Sequence, residues 1–166
     1  MRHTISVVVE NEAGVLSRVA GLFSARGFNI HSLNVAPMEG GDTSHVTLVT
    51  EGEEHIIEQI IKQLNKLIPV IRVVDLTEGP HVGRELMLVK VEAQQEARAE
   101  VLRVTEIFRA RVVDATPASF ILEVTGDSAK LDACLALLSP LGILDVVRTG
   151  QVAMARGSGR AEKKNG

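Results

Sequence analysis

Stretches of strand-like and helix-like apolar spacing alternate along the chain, in an order that occurs twice. In the first half, residues 4–9 are rich in β-branched side chains and predict a buried strand. Apolar residues at helical spacing predict a helix over 15–26, for which Gly27 is a natural stop. The remaining elements of this half are strands at about 30–37, 44–50 and 70–76, and a helix at 53–68 with Ile68 on its apolar face and Pro69 at its end.

The second half repeats this βαββαβ order after residues 78–83, whose Gly and Pro predict a linker. The motif Arg18-Val19-x-x-Leu22-Phe23-x-Ala25-Arg26 also recurs, 85 residues later, as Arg103-Val104-x-x-Ile107-Phe108-x-Ala110-Arg111. Two domains of one fold are therefore expected, over 1–77 and 84–155, followed by a disordered tail at 156–166. Their elements are strands at about 85–93, 111–116, 119–125 and from 143, and helices at about 96–110 and 128–139, the last capped by Asp127 or Ser128.

The βαββαβ order predicts an α+β, ferredoxin-like fold in each domain. Two split βαβ units with right-handed crossovers give a four-stranded antiparallel sheet with both helices on one face. The first strand is apolar on both faces, because Ile5, Val7 and Val9 point one way and Val8 points the other. Since the helices cover only one face, another chain or the other domain is needed for the second, and at least a dimer is expected.

Composition narrows the functional class. The chain is 45% apolar and 23% charged, which is typical of a folded globular protein. A net charge of −3 and the lack of Trp and Tyr argue against nucleic-acid binding. The single cysteine, Cys134, excludes an intrachain disulfide and a Cys-rich zinc site. Glu10 and Asn11 interrupt the first apolar run before it could form a signal peptide or membrane span, so a soluble cytoplasmic protein is expected.

No catalytic site is predicted. The sequence contains no nucleophile elbow, phosphate-binding loop, dinucleotide motif or carboxylate pair suited to acid–base chemistry. Its histidines lie in different predicted elements without metal-ligand spacing, which favours ordinary surface or strand-face positions; they are His3, His31, His45, His55 and His81.

The segment Asn11–Leu16 is the best candidate for a binding site. It joins a strand directly to a helix, so the backbone N–H groups of Ala13, Gly14, Val15 and Leu16 suit a small anion such as a carboxylate. Gly14 permits close approach of a ligand, and Asn11 offers a side-chain acceptor for an ammonium group. The same residues also suit an ordinary strand-to-helix turn, so local chemistry leaves both interpretations open.

A second candidate follows the first helix. Asn29 and Ile30 open the second strand, which a split βαβ fold places at a sheet edge. At that edge the two residues can face a neighbouring chain. An ordinary helix-to-strand turn is the alternative.

The stretch ISVVVENEAGVLSRVAGLFSARGFNIHSLNVAP resembles the start of the small, regulatory subunits of bacterial acetolactate synthases. The first half of the chain is similar to an ACT domain, an amino-acid-sensing module. The resemblance continues through EQIIKQLNKLIPVIRVVDL, RELMLVKV and TEIFRARVVDATPASFILEVTG, and covers about residues 2–155. It implies a chain without catalytic activity or cofactor of its own. The expected partner is a large catalytic subunit that uses thiamine diphosphate, Mg²⁺ and FAD to make 2-acetolactate from pyruvate.

The family resemblance also implies feedback inhibition by valine or another branched-chain amino acid. The effector is expected between the ACT domains of a homodimer, held by Asn11–Leu16 of one chain and by Asn29 and Ile30 of the other. Val35 is a candidate for its side-chain pocket. At the 85-residue offset, Asn11, Gly14 and Gly27 become Glu96, Ala99 and Val112, so no second effector site of this kind is predicted.

Two functions of other classes remain open on sequence. The fold also suits a stand-alone amino-acid sensor that acts on a transcriptional or signalling partner, although no helix-turn-helix or basic stripe is present. An oligomerisation module without a ligand is the third interpretation.

Overall fold

The computed structural model describes residues 1–157 and divides the chain into two compact units. Unit 1 comprises residues 1–82 and the segment that starts at Gln151, and unit 2 comprises residues 83–150. The elements are β1 (Arg2–Glu10), α1 (Val15–Ala25), β2 (Ile30–Pro37), β3 (Thr43–Glu51), α2 (Glu54–Leu64), β4 (Val70–Asp75), β5 (His81–Glu92), α3 (Gln95–Ile107), β6 (Arg111–Ala115), β7 (Ser119–Gly126), α4 (Ser128–Gly142), β8 (Ile143–Arg148) and β9 (Val152–Ala155).

Unit 1 has the predicted α+β, ferredoxin-like architecture. Its sheet has the strand order β2-β3-β1-β4, and every neighbouring pair is antiparallel. Alternate residues of β1 and β3 face the two helices, which gives a core whose side chains each contribute about 1.5–3 kcal/mol by leaving water. This core contains Ile5, Val7, Val9, Val15, Val19, Phe23, Val46, Leu48, Ile57, Ile60, Leu64 and Val70.

Helix α2 is shorter than its apolar pattern predicts. It ends at Leu64, and the Asn65 side chain donates to the carbonyl of Ile61 at 3.1 Å. Ile68, predicted to belong to the apolar face, is instead 92% exposed. The cause is Pro69, whose ring disfavours helical backbone at the residue before it, so the chain leaves the helix before reaching Ile68.

The helix-free face of unit 1 is also covered, since Val8 is only 7% exposed. Residues 151–155, which the sequence assigned to the second domain, lie against this unit. Strand β9 contacts β1, and the Asn34 side chain donates to the carbonyl of Gln151 at 3.2 Å. Strand β9 also pairs with β5, so strand pairing does not contradict the assignment of residues 151–155 to the second domain.

Unit 2 repeats the topology, with strand order β6-β7-β5-β8, so the predicted duplication of the fold is confirmed. Its core again lies between the sheet and two helices, and Asp127 caps α4 as predicted by accepting from the Lys130 N–H at 2.8 Å. Strand β5 begins at His81, inside the stretch predicted to be a linker. The strand therefore begins before residue 85, where its apolar pattern starts.

The repeated helix motif places equivalent side chains in both cores, but the two helices do not end at equivalent positions of the motif. Val104 is buried and Phe108 packs against the unit 2 core, as Val19 and Phe23 do in unit 1. Helix α3 nevertheless ends at Ile107.

Both helices end in a left-handed residue, at Gly27 (φ 69°) and at Arg109 (φ 51°). In each case the following N–H bonds the carbonyl five residues back, from Phe28 to Phe23 at 3.0 Å and from Ala110 to Thr105 at 2.8 Å. The counterpart of Gly27 is therefore Arg109, not Val112 as the 85-residue offset predicted.

Two further predictions concern the tail from residue 156 and possible membrane spans. Arg156, the first residue of the tail predicted to be disordered, donates its backbone N–H to the carbonyl of Pro80 at 2.8 Å. Residues 158–166 of that tail lie outside the described part of the chain. Within residues 1–157, no helix combines the length and the apolar character needed to cross a bilayer.

Candidate functional site

The loop between β1 and α1, Asn11–Gly14, is anchored to two neighbouring loops of unit 1. Asn11 bonds the turn between β2 and β3 twice, through its backbone N–H to Asp42 at 2.9 Å and through its side-chain amide to the Gly41 carbonyl at 2.8 Å. The N–H of Glu10 donates to Pro69, after α2, at 2.8 Å. These bonds hold the start of α1 in a defined place at this end of the sheet.

Gly14 leaves the start of α1 open. It occupies the N-cap position with left-handed angles, φ 87° and ψ −8°, and no side chain caps the helix. Its carbonyl accepts the N–H of Arg18 at 3.1 Å, so the preceding N–H groups, from Val15 to Ser17, have no acceptor within the helix. The helix dipole adds positive potential at the same point. This geometry suits a carboxylate or another small anion.

Asn11 supplies an acceptor beside those donors. Because its amide nitrogen faces the Gly41 carbonyl, the hydrogen-bond network leaves its Oδ1 oxygen available to a ligand ammonium group. A donor set for a carboxylate and an acceptor for an ammonium group thus lie on the same loop. That combination matches the backbone end of a free amino acid.

A small apolar pocket of about 90 Å³ adjoins the loop. The lining includes four residues that the sequence analysis singles out, and the pocket reaches Val19 and Val46 in the core of unit 1; the four are Asn11, Val15, Leu16 and Val35. Its complete lining is Val9, Glu10, Asn11, Glu12, Val15, Leu16, Val19, Val35, Ser44 and Val46.

Sequence reasoning missed part of this pocket. Val46 pairs with Val35 on one side and with Val7 on the other, so all three share one sheet face. Strand alternation carries this signal, but the register that brings the side chains together depends on the hairpin turn at Gly40 and Gly41. Ala13, predicted as a site residue, lies exposed in the loop and does not line the pocket.

Asn29 and Ile30 lie outside this cluster. The carbonyl of Asn29 accepts the Thr50 hydroxyl at 2.7 Å, at the opposite end of β2 from Val35. At about 3.3 Å per residue, the strand separates Asn29 from Val35 by about 20 Å. A single copy of unit 1 therefore brings together the Asn11–Leu16 segment and Val35, but neither Asn29 nor Ile30.

Unit 2 has no counterpart of this loop. Only Ala93 and Gln94 separate β5 from α3, so Glu96 and Ala99, the residues that the offset aligns with Asn11 and Gly14, lie inside the helix. The glycine-containing strand-to-helix connection is thus particular to unit 1.

The structure also bears on metal binding. Among residues 1–157, no group of three or more His, Cys, Asp or Glu side chains is arranged to hold a metal ion. Burial, followed by the charge of Arg72, lowers the pKa of His45, and its Nε2 lies 2.8 Å from the Ser6 hydroxyl. This histidine therefore takes part in a side-chain hydrogen bond on the sheet.

Comparison with known proteins agrees with this architecture. Residues 5–72 match the family model of the AHAS small subunit-like ACT domain, and residues 84–157 match the model of the small subunit of acetolactate synthase. The chain is 54% identical over 158 residues to a probable acetolactate synthase small subunit from Archaeoglobus fulgidus, covering 95% of this chain and 99% of that protein. It is 50% identical to the acetolactate synthase isozyme 3 small subunit of Escherichia coli K12, covering 95% of this chain and 97% of that protein.

A solved structure extends the match to the full fold. The crystal structure of the acetolactate synthase small subunit from Thermotoga maritima aligns with a TM-score of 0.85 and 38% identity, covering 95% of this chain and 98% of that one. Both units of the present chain are therefore accounted for by one family. The chain belongs to the family of acetolactate synthase small subunits and carries an N-terminal ACT domain.

Proposed function

We propose that this chain is a regulatory subunit that raises the activity of the acetolactate synthase large subunit and makes it sensitive to feedback inhibition by valine. The observation that carries the proposal is the uncapped start of α1 at Gly14, directly beside an apolar pocket in the ACT domain. The large subunit holds thiamine diphosphate, Mg²⁺ and FAD and performs the condensation of pyruvate. This chain contributes no catalytic group and acts through its affinity for that partner.

The features of the site match the parts of valine. The free N–H groups of Val15 to Ser17 take the carboxylate, and Asn11 Oδ1 takes the ammonium group. The pocket of about 90 Å³ holds the isopropyl group, whose apolar surface matches Val19, Val35 and Val46.

Two copies of the ACT domain complete the site by pairing along β2. This strand is an edge of its sheet, so its outer backbone groups are available to another strand. A twofold axis near the middle of an antiparallel β2–β2 pair places the start of one strand beside the end of the other. Asn29 and Ile30 of a second copy then approach Val35 and the Asn11–Gly14 loop, across the 20 Å or so that separates them within one chain.

Thermodynamic linkage connects the two partners. If bound valine weakens the productive association with the large subunit, that association must weaken valine binding by the same factor. Inhibition therefore requires valine to bind differently to at least two arrangements of the ACT pair.

The proposal is tested by capturing the tagged full-length chain from its own cells and assaying the eluate for acetolactate formation with and without valine. We expect activity that falls as valine is added. A folded chain that is captured without acetolactate synthase activity contradicts the proposal and favours a free-standing amino-acid sensor.

Filling the pocket is expected to remove valine binding. Val35 is 43% exposed on an edge strand, so Val35→Phe places its larger ring toward the pocket without overpacking a closed core. We expect calorimetric titration of the full chain to show valine affinity at least about tenfold weaker. Val113→Phe, a residue 52% exposed on the equivalent edge strand β6, is the matched control and should bind valine normally. Equal affinity in the two variants contradicts the pocket assignment.

A further inference from the structure

A second concave surface of unit 1 lies between the C-terminal ends of its two helices. This basic groove has a volume of about 630 Å³ and is lined only by cationic and amide side chains: Arg26, Gln59, Lys62, Gln63, Asn65 and Lys66. Arg26 caps the end of α1, and Asn65 caps the end of α2. The groove carries three cations on a chain whose net charge is −3, so it stands out from the charge of the whole molecule.

The positive charge of the groove is little neutralised. Lys62 forms an ion pair with Glu58 at 3.7 Å, but both side chains are mostly exposed and the pair contributes little. Among the described residues, no carboxylate pairs with Arg26 or Lys66. A cation at a helix C-terminus interacts favourably with the helix dipole, and this accounts for one basic residue at the end of each helix. It does not account for a groove whose lining contains no carboxylate.

We infer that the basic groove is a docking surface for an acidic surface segment of the large subunit, an inference that rests on the proposed regulatory function. Charge complementarity supports this occupant, because three cations and the amides of Gln59 and Gln63 present donors along the groove. The groove is open and its cations are exposed. Such a surface suits a macromolecular segment that covers it more than a small anion, which needs an enclosing set of donors.

The position of the groove also gives it a route to the effector site. Gly14 and Arg26 flank the 11 residues of α1, so the helix separates the open start at Gly14 from Arg26 in the groove by about 18 Å. A ligand that draws the N-terminal end of α1 toward itself displaces Arg26 relative to the α2 cations. Valine binding and docking of the large subunit would thereby bias the same rigid element.

The test titrates the full-length chain into the large subunit, without valine, and follows the rise in acetolactate formation. Arg26→Glu with Lys66→Glu is expected to weaken association at least about tenfold, and added salt should weaken the wild type more than this variant. The matched control, Arg18→Glu with Lys90→Glu, makes the same charge change at exposed positions outside the groove and should stay within about twofold of wild type. If the charge-reversed protein does not fold, Arg26→Gln with Lys66→Gln replaces it.

Each outcome is decisive. If the folded groove variant binds the large subunit with wild-type affinity, the inference is overturned and the regulatory function is left intact. If that variant also loses the binding of inorganic phosphate, the groove is a small-anion site instead. Loss of the homodimer in light scattering, measured without the large subunit, identifies a contact between copies and also overturns the inference. A wild-type chain that does not associate with the large subunit overturns both the proposed function and the docking surface.

Discussion

Gly14→Asp is expected to abolish the response to valine while leaving the chain folded. The substitution introduces a carboxylate at the open start of α1, where the carboxylate of the effector is proposed to lie. Two like charges about 4 Å apart near a protein surface repel by about 4 kcal/mol, so we expect valine affinity to fall by at least about 100-fold. Calorimetry on the full chain measures this loss. The reconstituted enzyme should keep its activation and lose its inhibition.

The structure indicates that this variant folds. Gly14 has a φ of 87°, a region that Asp and Asn tolerate better than other side chains, and a Cβ placed there meets no atom within 4 Å. The positive φ strains any side chain by about 1–2 kcal/mol, and the favourable interaction of the carboxylate with the helix dipole offsets about 0.3–1 kcal/mol of this, so we expect a modest loss of stability that leaves the chain folded. Gly14→Asn is the matched control, since it occupies the same N–H groups without charge and should cost only about tenfold in affinity. Normal valine binding by Gly14→Asp contradicts the assigned site.

The fold could be predicted from sequence because its signals are local and repeated. Helix α1 combines apolar periodicity with a glycine at each end, and the two sheets are built from short β-rich runs separated by turns. The errors occur where a local pattern competes with backbone constraints or distant contacts. Ile68 fits a helical pattern but precedes Pro69, and the contacts of residues 151–155 with unit 1, such as the bond from Asn34, depend on residues far away in the sequence.

The candidate site was only partly predictable for a related reason. The Asn11–Gly14 loop is one continuous segment, so its candidate donors and Asn11 could be read from the sequence, which also left an ordinary strand-to-helix turn open. The pocket is assembled from α1, β2 and β3, and its residues Val19 and Val46 look like ordinary core positions in the sequence. The sequence did not predict the basic groove, because Arg26 and Lys66 line the same surface only after α1 and α2 have packed together.

The largest effect on stability is expected in unit 2, where Arg148 joins three elements. Its guanidinium bonds both oxygens of Glu85 on β5 at 2.8 Å and Asp132 on α4 at 2.6 Å. The Glu85 side chain is 6% exposed, and Ser128 also donates to it at 3.3 Å. Arg148→Met leaves this carboxylate buried without its cation, which should cost about 3 kcal/mol at neutral pH and lower the melting temperature of unit 2 by about 10 °C or more.

The pH dependence and two control variants identify the cause. Hydrogen bonds from Arg148 lower the pKa of Glu85, so in the wild type this group contributes stability above its unfolded pKa of about 4.3, and the contribution is lost as the pH falls through the folded value. The stability difference between wild type and Arg148→Met should therefore narrow below about pH 4. Asp132→Asn removes only a contact to a carboxylate that is 59% exposed and should cost less than about 1 kcal/mol.

Replacing both buried partners, with Glu85→Leu and Arg148→Met together, removes the unpaired charge and should recover most of the lost stability. Chemical denaturation followed by circular dichroism measures all four proteins. If the double variant is as unstable as Arg148→Met, the cost comes from lost packing of the arginine stem and not from a buried carboxylate. Full recovery instead means that the ion pair makes little net contribution to stability.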